Sequence, residues 1–156
     1  MARFEGLIKQ ITDMSNFSKS IPKDLARELW EFGMPLHRHD IGIGSHDGEP
    51  CYFYERYYFY DWSSCDRYRI PTYGEVIDWF SSRGIHITFD VFLTFALVDN
   101  VAYLWKISYI DRSNDDIKLV TVSEEDAWDG KEGFGGSFEL DANAAIRYAM
   151  NLKKNI

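Results

Sequence analysis

The side chains best suited to chemistry gather in one stretch of this 156-residue chain, His37-Arg38-His39-Asp40 followed by His46-Asp47-Gly48-Glu49. Three of the four histidines lie there. A His-x-His pair binds a transition metal when a third ligand closes the site, and His46 or Asp47 is within reach round the Gly42-Ile43-Gly44 turn. His37, His39 and His46 are therefore the candidate ligands of a metal-binding protein or small metal-dependent enzyme. No H-E-x-x-H helix and no zinc-ribbon spacing accompanies them, so a polar solvated loop is the stronger expectation and no cofactor is expected.

Other chemistries find less support. The GIGSHDG stretch has two glycines before a serine, but it does not fit the dinucleotide fingerprint or the P-loop, and no G-x-S-x-G elbow marks a nucleophilic serine. Cys51 and Cys65 lack a CxxC partner and fit an inert reduced pair. No catalytic residue is assigned.

Two stretches could instead bind a macromolecule. In CYFYERYYFYDW, from Cys51, eight of twelve residues are aromatic. Strand periodicity sets Cys51, Phe53, Tyr57 and Phe59 on a core face, and Tyr54, Arg56, Tyr58, Tyr60 and Trp62 on a face that a helix, a partner or a second copy must cover. An isologous homodimer would be one such cover. Stacking on single-stranded nucleic acid is the alternative use of such a face, yet Arg56, Arg67 and Arg69 give only a local basic element. The second stretch, 123–139, reads first as a solvated acidic loop; its other reading is an acidic surface of Glu124, Glu125, Asp126 and Asp129 for a basic protein partner, with Trp128 and Phe134 as aromatic anchors.

The elements that hold these stretches follow from periodicity. Residues 1–20 form an amphipathic extension, with Phe4, Leu7, Ile8, Ile11 and Met14 at helical spacing. Residues 21–156 form a single domain. Its first helix has Pro22 in its first turn, Leu25, Leu29 and Phe32 on its buried face, and Gly33 as its stop. Residues 34–50 read as a loop, and SSCD bounds the aromatic strand. Thr72 and Glu75 match a capping box opening a helix that Gly84 closes. Strands follow over 85–92, 101–110 and 117–122 as an antiparallel meander. Residues 123–139 read as a connection, and a last helix starts near Asp141 as N-cap. The fold class is α+β: a mainly antiparallel sheet of about four strands with two or three helices packed on one face.

Composition narrows the function. There are 25 acidic against 17 basic residues, a formal net charge of −8. Nucleic-acid binding rests on Lys and Arg contacts to phosphates, so acidity weighs against it. No apolar run reaches the ~18 residues that span a bilayer, so no membrane partner and a cytoplasmic location are expected.

The ordered set IPKDLARELWEFG, GEPCYFYERYYFY, PTYGEVIDWFSSRGIHI, YLWKISYI and AAIRYAMNLK resembles uncharacterised small proteins of Bacteroides-type phages and mobile elements. The resemblance covers 22–152, and PTYGEVIDWF is its most specific part. It implies a phage or mobile-element setting, hence the host cell cytoplasm, and carries no catalytic residues. The expected function is a non-catalytic accessory protein, for instance a counter-defence inhibitor, that binds a host or phage protein through an acidic and aromatic surface.

Overall fold

The computed structural model describes residues 16–39, 58–61, 66–93, 101–127 and 137–154. The chain divides into two compact units, one formed by Ser20–Thr72 and one by the chain on either side of it. The class is α+β, as the sequence predicts. The described strands are shared between two antiparallel sheets of three strands each, where one sheet of about four was expected.

In the 20–72 unit, helix α1 spans Lys23–Phe32 and buries Leu25, Ala26 and Leu29 at helical spacing. Pro22 is its N-cap, in an extended conformation, rather than a residue of the first turn. Gly33 ends the helix at φ 117°, where its N–H donates to the carbonyl of Trp30 and the N–H of Met34 to that of Leu29. This pairing of carbonyls left over by the last turn is a Schellman motif, which needs a left-handed residue. Strands β1 (Arg38–His39), β2 (Tyr58–Asp61) and β3 (Asp66–Arg69) make a sheet in the order β1-β3-β2. Arg38 and His39 thus belong to a strand inside the span read as a loop, and β3 starts at the last residue of SSCD, read as a boundary. The β1–β3 pairing is long-range, whereas β2 and β3 form a local hairpin; short polar strands carry no periodic signal of their own. Phe59 is fully buried, against the rings of Trp30 at 5.8 Å and Tyr68 at 5.5 Å.

In the other unit, helix α2 (Tyr73–Ser82) buries Tyr73, Val76 and Phe80, and Gly84 follows at φ 84°. Strands β4 (Ile85–Leu93), β5 (Val101–Asp111) and β6 (Lys118–Ser123) form the expected meander, in the order β4-β5-β6. A one-turn helix, α3 (Glu124–Ala127), and helix α4 (Phe138–Lys154) complete it. The register sets Ile87 opposite Ile107 and Phe89 opposite Trp105, so the odd-numbered residues of β4 and β5 share one face. That face is the core. Ile85, Ile87, Phe89, Tyr103, Trp105 and Ile107 are buried there with Ala142, Ala145, Ile146 and Ala149 of α4. Phe138 is the hub, with ring centroids of Phe89, Tyr73, Tyr103 and Phe17 between 5.1 and 5.5 Å away.

Helix α4 begins three residues before the Asp141 expected as its N-cap. Ser137 holds the cap, its hydroxyl accepting from the Leu140 N–H at 3.4 Å and its carbonyl from the Asp141 N–H at 3.1 Å. Burial of Phe138 decides this start, and places Asp141 inside the helix.

Candidate functional site

The open part of the described surface centres on β6. Its sequence, KLVTVS, alternates and is rich in β-branched residues, which suits a strand at the margin of a sheet. Helix α4 lies mainly across β5 and α2 across β4, so β6 receives little cover from these described helices. Val120 and Val122 on the helix side are only half-buried, while Lys118, Leu119 and Thr121 are exposed. On the side of the sheet away from the helices, Ile110 is 48% exposed and its register partner Leu119 73%, and Ile117, just before the strand, is also 73% exposed. Ile110 and Leu119 therefore share one face, with Ile117 exposed just before the strand. Beside them Ser108 and Thr121 hydroxyls pair at 3.0 Å, and Lys106 pairs with Asp90 at 2.7 Å.

Acidic groups stand at both ends of this strand. At the hairpin end, Asp115 and Asp116 are exposed, and Asp111 accepts from the Ser113 N–H at 2.8 Å, which holds its carboxyl below the usual range and keeps it ionised. At the other end, α3 carries Glu124, Glu125 and Asp126. Its start is a reciprocal cap: the Ser123 N–H and hydroxyl donate to Asp126 Oδ2 at 3.2 and 3.0 Å, and the Asp126 N–H donates to Ser123 Oγ at 3.3 Å. S-x-x-D satisfies orphan donors as S-x-x-E does. This cap explains why the acidic connection opens with a helical turn.

Glu124 turns inward. Its Oε2 accepts from the Trp105 N–H at 3.4 Å and its carboxyl meets that of Asp141. Asp141 is only 4% exposed. Two adjacent carboxyls out of water cannot both ionise cheaply. Burial first, then the hydrogen bond and charge of Glu124, push the Asp141 carboxyl up to about 9, partly offset by the Trp105 N–H. The Asp141–Glu124 pair thus favours holding one proton between its two carboxyls. The pair pins the first residue of α3 to the first turns of α4.

The residues singled out in the sequence are dispersed. Glu125 and Asp126 are exposed on α3, whereas half-buried Glu124 is spent on the interior. Tyr58 is half-buried, with the Arg67 guanidinium 5.1 Å from its ring centre. Tyr60 lies in β2 opposite Arg67. Tyr54, Arg56, Trp62, Trp128, Asp129, Phe134, His46, Cys51 and Cys65 lie outside the described residues, as do Phe4, Leu7, Ile8, Ile11 and Met14 of the amphipathic extension. His37 is exposed and its carbonyl accepts from the Arg69 N–H at 2.9 Å, while His39 lies in β1 opposite Arg67. Among the described residues no group of three or more His, Cys, Asp or Glu side chains converges as a metal site. No described helix is long and apolar enough to cross a membrane.

Reading the sequence missed Ile110, Ile117 and Leu119 as a surface, because an alternating strand does not reveal which of its faces is covered. It also missed the Glu124–Asp141 pair, although Asp141 follows Phe138 by three residues and precedes Ala145 by four, on the apolar stripe of α4. No family model matches this chain, and no curated protein or solved structure matches it either.

Proposed function

We propose that the protein is a non-catalytic accessory protein, of the phage or mobile-element kind it resembles, that acts by binding a host or phage protein. The observation that carries this reading is the β6 surface: Ile110, Ile117 and Leu119 exposed between two acidic ends. Exposed apolar side chains clustered on a sheet and rimmed by charge are the usual anatomy of a protein interface. With a net charge of −8, the complementary partner presents a basic rim around an apolar centre. A counter-defence inhibitor that blocks a basic, nucleic-acid-handling surface fits this chemistry.

The test is affinity capture from host cells with the wild-type chain and with an Ile117→Lys/Leu119→Lys double variant. Both side chains are exposed, so the variant keeps the fold, which circular dichroism checks. The wild type retains a stoichiometric protein that the variant loses. Recovery of the same proteins by both chains would reject the surface.

A further inference from the structure

We propose that the outer edge of β6 accepts an extended basic segment of the partner as an added strand. This rests on the protein-binding reading above and names how the surface is used. In the order β4-β5-β6, no described strand pairs with β6 on the side away from β5. Backbone groups on an antiparallel strand alternate in direction, so the fate of one N–H fixes the rest. The Ser123 N–H is taken by the Asp126 carboxylate in the turn that leaves the sheet, and so points away from β5. By the period of two, the N–H and C=O groups of Leu119 and Thr121 point the same way. Sheet proteins normally protect such an edge with charge, proline or a bulge; here Lys118 is the charged residue within the strand.

Charge selects the occupant. If a second copy paired antiparallel along β6, Asp115 and Asp116 of one chain would meet Glu125 and Asp126 of the other. A parallel pairing would bring like ends together. Either arrangement stacks carboxylates, which disfavours pairing. An extended segment with lysines or arginines toward its ends meets the same carboxylates with opposite charge. Its alternate apolar side chains would lie beside Leu119, the mode of strand addition in which main-chain bonds supply affinity and alternate side chains supply specificity.

The probe is a synthetic peptide of about eight residues alternating lysine and valine, with an alternating glutamate and valine peptide as control. The basic peptide binds, more weakly as salt rises, and slows exchange of the Leu119 and Thr121 amides; the acidic one does not. Thr121→Pro removes an outward N–H and weakens binding about tenfold or more, whereas Thr121→Val, which loses only the hydroxyl, binds as the wild type does. Equal binding by a folded Thr121→Pro chain, or unchanged Leu119 and Thr121 exchange in the wild type, overturns the proposal. The exchange measurement decides even where the proline variant does not fold. Wild-type dimers in sedimentation that Thr121→Pro abolishes would overturn it too, by assigning the edge to a second copy. A natural partner lost on Ile117→Lys/Leu119→Lys but kept by Thr121→Pro would leave the binding surface standing and reject strand addition.

Discussion

The carboxyls of Asp141 and Glu124 meet at the junction of α3 and α4, and Asp141 is buried there. Because its folded-state pKa is raised from 3.8 to about 9, the folded chain holds a proton that the unfolded chain releases. Stability from this group is fully present below about pH 4 and is lost as pH rises through the folded value. Asp141→Asn keeps a neutral donor toward Glu124 at every pH. The variant should match the wild type at pH 4 and exceed it at pH 8 by at least ~2 kcal/mol, a rise of at least about 4 °C in Tm. Thermal melts of both chains across that range check this; parallel pH profiles would show that Asp141 does not hold the proton.

Phe138→Ala should be the most costly single truncation in the larger unit. Its ring touches four others from four different parts of the chain, and α4 is capped to begin there. A loss of about 3–5 kcal/mol is expected from urea unfolding, as for buried aromatic deletions that leave a cavity.

Gly33→Ala isolates backbone strain from packing. A Cβ built on Gly33 meets nothing within 4 Å, so φ 117° is the source of the cost. The expected penalty is about 1–2 kcal/mol by chemical denaturation. A neutral result would mean that the turn relaxes without Gly33.

Ser123→Ala removes the hydroxyl from the reciprocal cap with Asp126. The expected loss is about 0.5–1 kcal/mol, and the sharper readout is local: the Asp126 amide, which donates to Ser123 Oγ, should exchange much faster than the β5 amides.

The sequence carried the periodic elements well. β4, β5 and β6 lie within a residue or so of their predicted ends, because alternation sustained over six to eleven residues marks a strand by itself. Helices α1 and α2 were legible for the same reason, with Gly33 and Gly84 as their stops. The short strands β1 and β3 were not legible, since Arg38-His39 owes its state to a distant partner in β3, and Asp66–Arg69 to pairing with both β1 and β2. Asp141 was misread for a related reason: a lone aspartate beside a helix looks like a cap, and only the packing of Phe138 shows it to be interior. The candidate surface was half legible. The acidic residues of α3 stood out by type, whereas exposure of Ile117 and Leu119 depends on how far α4 reaches across the sheet.

The 20–72 unit leaves and rejoins the chain at neighbouring points. Ser20 bridges Thr72 and the Ile21 N–H donates to the Pro71 carbonyl, while the Tyr73 N–H donates to the Lys19 carbonyl just beyond. The Lys19–Tyr73 hydrogen bond already brings together the two ends that would be spliced if this unit were absent. The unit is therefore built like an insertion, able to be exchanged, enlarged or deleted while the remainder keeps its own core. A chain in which a two-residue Gly-Ser link joins Lys19 to Tyr73 should unfold cooperatively; a non-cooperative melt would show that the two units have become one folding entity.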